Sequence, residues 1–199
     1  MRILLASTSV YRRQLLARLG MAFEVVDPCV DETPLAGEVA EELVSRLAQA
    51  KARAGARDVH DALVIGADQV AVLDGEILGK PGSAEANRRQ LQRAAGRQVQ
   101  FFTGLCLFAT QSQRVTVAVV PFAVQFRQLT REQIAAYVAH EQALDCAGGF
   151  RCEGLGSALF ERMEGSDPTA LMGLPLLRLT QMLASEGVDV LLQAPAAEP

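Results

Sequence analysis

The 199 residues are half hydrophobic and 21% charged, with a net charge of −4 and a pI near 5.3. That composition supports a substantial core in one domain or two small lobes, and the acidic balance excludes bulk electrostatic binding of nucleic acid or a membrane surface. Four cysteines (Cys29, Cys106, Cys146, Cys152) form no C-x-x-C pair, and two histidines, His60 and His140, are too few for a zinc cluster. Such cysteines fit a reducing compartment, most of them as small core residues. The opening MRILLAS has one basic residue and too short an apolar run for a secretory signal. No stretch approaches the roughly 20 apolar residues of a membrane span. The expectation is a cytoplasmic chain with neither membrane nor nucleic-acid polymer as a partner.

Residues 2–6 read as a short apolar strand, followed by Ser7-Thr8-Ser9 and by a helix with Leu15, Leu16 and Leu19 on one stripe and Gly20 as its stop. Strand, polar turn and helix start together aim unpaired backbone N–H groups at an anion. A second helix over residues 39–54 carries Val39, Leu43 and Leu47 on one stripe, and Lys51 extends it by a turn. A lysine snorkelling off the core edge fits that position as well as a functional one does. A buried strand over residues 62–67 ends in Gly66-Ala67-Asp68-Gln69. A second strand, residues 70–73, reaches the tight-turn pair Asp74-Gly75, from which Ile77 and Leu78 return.

Gly79-Lys80-Pro81-Gly82 leads into a helix with Ala84, Asn87, Leu91 and Ala94, and two long strands follow over residues 99–109 and 115–126. Pro121 implies an edge or a bulge in the second of them. Thr130 and Gln133 form a capping box ahead of Ile134, Tyr137 and Val138. Residues 146–159 make a glycine-rich loop. Residues 175–183 are the last amphipathic helix, Gly187 lies past its end, and QAPAAEP reads as a frayed tail. Strands and helices intermix, so the class is α/β or α+β with a twisted mixed sheet.

Three familiar sites are absent. Residues 75–80 hold their two glycines one residue too close for a P-loop, with Pro81 where a Ser or Thr is required. Gly154-Leu155-Gly156 lacks the third glycine and the strand–helix setting of a dinucleotide site. Neither histidine is placed for a Ser-His-Asp triad.

The segment Leu5-Ala6-Ser7-Thr8-Ser9-Val10-Tyr11-Arg12-Arg13-Gln14-Leu15-Leu16 resembles the signature of the Maf family of nucleotide pyrophosphatases, Leu-Ala-Ser-x-Ser-Pro-x-Arg-Arg-x-x-Leu-Leu. The likeness continues through Asp31-Glu32-Thr33-Pro34, Arg46-Leu47-Ala48-Gln49-Ala50-Lys51-Ala52, Gly66-Ala67-Asp68-Gln69 and Gly79-Lys80-Pro81. It ends with Phe102-Thr103-Gly104, Cys146-Ala147-Gly148 and Gly173-Leu174-Pro175. These blocks keep the family's order along nearly the whole chain; Val10, in place of proline, departs from it without removing a reactive group. The resemblance implies a Maf/ITPase-like α/β fold, a twisted mixed sheet with flanking helices, and two lobes around a central cleft. It also implies one domain over residues 1–193 with a flexible tail at 194–199, a homodimer, and a divalent cofactor, Mg²⁺ or Mn²⁺.

By the same resemblance Asp68 is the general base for water attacking the α-phosphorus, and Ser9, Arg12, Arg13, Lys51 and Lys80 meet the phosphates. Paired arginines at a helix start suit that work, because guanidinium forks bond phosphate oxygens and cations offset the charge growing on leaving pyrophosphate. Exposed helical arginines and a turn-capping aspartate are the plainer readings of the same residues. Asp31 and Glu32 add carboxylates, and Glu32 with Asp68 is the expected metal pair.

Three positions separate the family's branches, here Tyr11, Gln69 and Glu153, and they resemble the branch acting on 7-methyl-GTP rather than the one taking dTTP and UTP. A guanine edge offers two adjacent donors that a carboxylate accepts, whereas thymine and uracil present acceptor, donor, acceptor. An N7-methylated base is cationic and gains roughly 0.5–2 kcal/mol over an aromatic face such as Tyr11. Two other functions fit the same residues: a dTTP/UTP pyrophosphatase, and a nucleotide-binding regulator of cell division without turnover.

Overall fold

The computed structural model describes residues 1–193; the expected frayed tail at 194–199 lies outside them. In chain order the elements are β1 (Arg2–Ala6), α1 (Val10–Ala17), β2 (Glu24–Val26), α2 (Ala40–Gly55), β3 (Ala62–Leu73), β4 (Glu76–Leu78) and α3 (Ala84–Ala94). Then come β5 (Gln98–Ala109), β6 (Arg114–Phe126), α4 (Arg131–His140), β7 (Phe160–Glu164), α5 (Pro168–Leu171), α6 (Leu176–Ser185) and α7 (Val190–Gln193). They build a seven-stranded mixed sheet in the order β2-β1-β3-β5-β6-β7, with β4 paired to β3. β1 runs parallel to β2 and β3, and the remaining pairs are antiparallel.

The expected strands over 62–67 and 70–73 are one continuous strand of 12 residues. Asp68 therefore sits in mid-strand, not at a strand end. The turn after it is as read: Asp74 (φ 51°) and Gly75 (φ 82°) both hold the positive φ that a two-residue type I′ loop demands. Pro121 lies opposite Phe102 of β5, and β7 begins to pair only at Ala123, so the proline occupies a local edge. The Thr130–Gln133 capping box forms in both directions. The elements expected from the sequence do not include β2, β7, α5 and α7: β2 and β7 are short and largely exposed, and α5 spans a single turn.

The pleat divides the side chains of the sheet. Odd positions (Ile3, Leu5, Leu63, Ile65, Leu105, Leu107) pack with Leu15 and Leu16 of α1 and Leu179 and Leu183 of α6. Even positions (Leu4, Ala6, Val64, Cys106) meet Ala48 and Ala52 of α2. Further along the odd face a second core gathers Leu73, Phe101, Phe126, Leu91, Ile134 and Phe150. Its aromatic rings meet edge-on, with Phe150 and Phe160 centroids 4.8 Å apart, and such pairs add about 0.5–1.5 kcal/mol beyond burial.

Helix α2 lies directly on the strands because two glycines admit it. A Cβ at Gly66 would stand 2.2 Å from the Ala48 carbonyl oxygen, and one at Gly104 would stand 2.1 Å from that of Val44. Of the cysteines only Cys106 is buried; Cys29 is exposed and Cys146 and Cys152 are half-buried, so the expectation that most are core residues is corrected. Those three stand on loops: Cys152 packs against the rim of the second core without being covered by it, and Cys29 faces solvent.

Candidate active site

β3 changes partners along one edge. β1 pairs with residues 62–66 and β4 with residues 71–73, so residues 67–70 have no strand neighbour on that side. The gap opens at the carboxyl end of β1, the place where ligands enter open α/β sheets. A cleft of about 820 Å³ fills it, lined by Ser7, Ser9, Tyr11, Arg12, Glu32, Lys51, Asp68, Gln69 and Lys80.

On the even face, Gly66 and Asp68 look toward α2. Lys51, only 4% exposed, donates from Nζ to Asp68 Oδ1 at 2.6 Å, and Asp68 itself is 7% exposed. The same ammonium contacts Glu32 Oε1. A lysine that extended an apolar stripe is thus drawn inward by two carboxylates rather than snorkelling to solvent. Burial pushes the Glu32 carboxyl up, but the Lys51 ammonium, with Lys80 and Arg12 further off, outweighs this and leaves it below the usual range. Lys80 is exposed at the rim.

The loop that carries Glu32 is tied to α2 by Arg46 as well. Arg46 forks onto Glu38, with Nε to Oε1 at 2.6 Å and Nη2 to Oε2 at 2.7 Å, and reaches Thr33 O at 3.2 Å. Asp31, the other carboxylate of that loop, accepts from Thr33 N at 2.9 Å and Thr33 Oγ1 at 2.6 Å and points into its own turn.

Ser9 caps α1, accepting weakly from Arg12 N at 3.4 Å, and its own N–H donates to Ser7 Oγ at 3.1 Å. Arg12 donates from Nε to Gly173 O at 2.9 Å, leaving the outer nitrogens of its fork for a ligand. Burial lowers its pKa, while Asp68 and Glu32 act in the other direction. Arg13 is exposed and does not line the cleft. Helical spacing explains the division: Arg12 precedes Leu15, Leu16 and Leu19 by three, four and seven residues and shares their inward stripe, whereas Arg13 is turned away by one position.

On the odd face a second recess joins the first. Tyr11, Gln69 and Glu153 line it together with Arg151, Cys146 and Gly173. Gln69 Nε2 donates to Thr103 Oγ1, opposite it on β5, at 3.0 Å and to Ala170 O at 2.6 Å. The Arg151 guanidinium stands 5.4 Å from the Tyr11 ring centroid, covering one face of it. Burial and the nearby Cys146 thiol push the Tyr11 phenol up. Glu153 is exposed at the mouth.

Ser7, Thr103, Arg151 and Asp167 belong to this arrangement and escape a reading of the sequence as sites. Thr103 stands in the Phe102-Thr103-Gly104 block, and Asp167-Pro168 is a helix-start signal. Arg151 has no local mark at all.

The family model described as Maf-like protein matches residues 2–186. The chain belongs to the Maf family. Among relatives in it, proteins named 7-methyl-GTP pyrophosphatase are 54% identical in Pseudomonas aeruginosa, over 94% of this chain and 98% of that one, and 53% identical in Nitrosococcus oceani, over 95% of each. The counterpart of that name in Thiobacillus denitrificans is 54% identical over 95% of this chain and 94% of its own. The structure of the Staphylococcus aureus Ham1 protein overlays with a TM-score of 0.54 at 18% identity, covering 94% of this chain and all of the other; that likeness concerns the fold alone. It bears out the expected Maf/ITPase-like α/β architecture. No described helix is long and apolar enough to cross a membrane.

Proposed function

We propose that this chain hydrolyses 7-methyl-GTP to 7-methyl-GMP and pyrophosphate. The observation that carries the reading is the buried Lys51–Asp68 pair at 2.6 Å, set at the floor of a cleft that Arg12, Lys80 and Ser9 also line. Water attacks the α-phosphorus and the bond to the β-phosphate's bridging oxygen breaks. One water proton passes to Asp68, whose Oδ1 is steadied by Lys51 while Oδ2 accepts no hydrogen bond among the described residues. Arg12 and Lys80 offset the charge that gathers on departing pyrophosphate, and the hydroxyl-rich turn at Ser9 receives phosphate oxygens at a helix start.

A divalent cation suits the donors present. Glu32 and Asp68 already converge on one positive charge, the Lys51 ammonium. No group of three or more His, Cys, Asp or Glu gathers among the described residues, and a pair of carboxylates completed by substrate phosphates is how Mg²⁺ is commonly held. Bound by Glu32 and Asp68, it would supply Lewis-acid neutralisation of the phosphates.

The base belongs on the odd face. Tyr11 offers a ring to a cationic purine, and Glu153 and the Gln69 oxygen offer acceptors to the guanine donors. The names of the relatives support this choice. The test is purified protein with Mg²⁺ against 7-methyl-GTP, GTP, dTTP and UTP, with products resolved. Pyrophosphate release with highest kcat/KM on 7-methyl-GTP, cut at least a hundredfold by Asp68→Asn, is expected. Orthophosphate as product, or a pyrimidine nucleotide as the better substrate, refutes it.

A further inference from the structure

Helix α6 follows Pro175, which gives it no side-chain cap. Its first-turn N–H groups are nevertheless satisfied from ten residues away. Asp167, 3% exposed, accepts from Leu177 N at 2.8 Å and Arg178 N at 3.3 Å through Oδ2, and from Thr169 N at 3.1 Å and Thr169 Oγ1 at 2.6 Å through Oδ1. Thr169 Oγ1 in turn accepts from Leu176 N at 2.7 Å. One carboxylate and one hydroxyl therefore start both α5 and α6 and fix the corner between them.

That corner sits at the seam of the two odd-face cores, with Leu171 in one and Leu174 in the other. Its carbonyls turn toward the cleft. Gly173 O holds Arg12 Nε at 2.9 Å. Ala170 O at 2.6 Å and Leu171 O at 3.2 Å surround Gln69 Nε2. Thr103, wholly buried, completes the set by accepting from Gln69 Nε2 at 3.0 Å while donating to Ala170 O at 2.9 Å.

We infer that the Asp167–Thr169 corner is a positioning device that locks Gln69 as a hydrogen-bond acceptor toward the base and so selects guanine over pyrimidine nucleotides. An amide alone does not discriminate, because rotation by half a turn exchanges its donor and acceptor ends. Here rotation would set Oε1 against two carbonyl oxygens. The amide nitrogen is held by the corner, and no described group donates to Oε1, which lies beside Gly173 at the recess. Together with the Glu153 carboxylate, which lines the same recess, it would present a wall of acceptors to the base. Guanine meets that wall with two adjacent donors, whereas uracil brings one donor between two acceptors. The inference rests on the reading that the chain hydrolyses 7-methyl-GTP.

The test compares Thr169→Val, which removes the hydroxyl at nearly constant shape, with Thr169→Ser, which keeps it. Two readouts are taken: the ratio of kcat/KM for 7-methyl-GTP over UTP, and solvent exchange of the Gln69 side-chain amide by ¹⁵N NMR. Thr169→Val is expected to lower the ratio at least tenfold, mainly through KM for 7-methyl-GTP, and to speed the exchange at least tenfold; Thr169→Ser restores both. A folded Thr169→Val protein with an unchanged ratio overturns the inference, whatever its melting temperature or exchange rate. Should Thr169→Val not fold, Thr103→Val decides in the same way by removing the hydroxyl between Gln69 and Ala170. A wild-type enzyme that cleaves no nucleotide defeats the functional reading instead, and the exchange measurement still decides whether the amide is locked.

Discussion

Replacing Lys51 by methionine separates a charge effect from a packing effect. The methionine keeps the stem that α2 lays against the sheet and removes the ammonium that Asp68 and Glu32 share. Glu32, with a side chain 53% exposed, falls back on water. Asp68 has no such recourse, since its side chain is only 10% exposed. Breaking a buried pair from one side costs about 3–5 kcal/mol. The partial opening of Asp68 to the cleft and the field of Arg12 place this case at the lower end, about 3 kcal/mol, which for a chain of this size lowers Tm by roughly 6–12 °C.

A second substitution identifies the cause. An unpartnered buried carboxylate destabilises because it is charged, and an amide of the same shape does not carry that cost. The double variant Lys51→Met/Asp68→Asn removes both charges and regains most of the stability at pH 7. Urea unfolding followed by circular dichroism at pH 7 measures all three proteins. A double variant as unstable as Lys51→Met refutes the argument.

Gly66→Ala should cost about 2–3 kcal/mol in urea unfolding, because its Cβ would meet Ala48 O at 2.2 Å and neither backbone can yield; an unchanged midpoint would mean that α2 lifts freely from β3. The Glu38 carboxyl is drawn down to about 2, chiefly by its fork with Arg46 and against the opposing effect of burial. Its contribution is complete above the unfolded value of about 4.3 and is lost as pH falls toward 2. The stability gap between wild type and Glu38→Gln should accordingly narrow below pH 4, and a gap constant from pH 7 to 2 contradicts this. Arg12→Lys gives up the Nε bond to Gly173 O and the planar fork, so kcat/KM for 7-methyl-GTP should fall about 10- to 100-fold with little change in Tm; equal kinetics would remove Arg12 from the phosphate contacts.

The elements that declare themselves in the sequence are those whose residues obey one local rule. Leu15, Leu16 and Leu19 make α1 by spacing, Asp74 and Gly75 make a turn by their tolerance of positive φ, and Thr130 with Gln133 makes a helix start. β3 breaks its own rule. Gly66 and Asp68 are poor strand formers, and together they read as the end of a strand. The reasons they stand inside one lie elsewhere in the chain: Gly66 admits the backbone of α2, and Asp68 is paired by Lys51 17 residues earlier.

Once the strand is taken as continuous, its pleat assigns the site. Asp68 faces α2 with Lys51, and its neighbour Gln69 faces α5 with Thr103. Two adjacent residues thus serve opposite sides of the sheet at an unpaired edge, so that under the proposed function a nucleotide wrapping that edge would meet Asp68 at its phosphates and Gln69 at its base. The same geometry explains why Arg12 rather than Arg13 enters the cleft: the helix turns one arginine onto the stripe of Leu15 and Leu16 and the other into water. Composition does not distinguish the two, and the register of α1 against the sheet does.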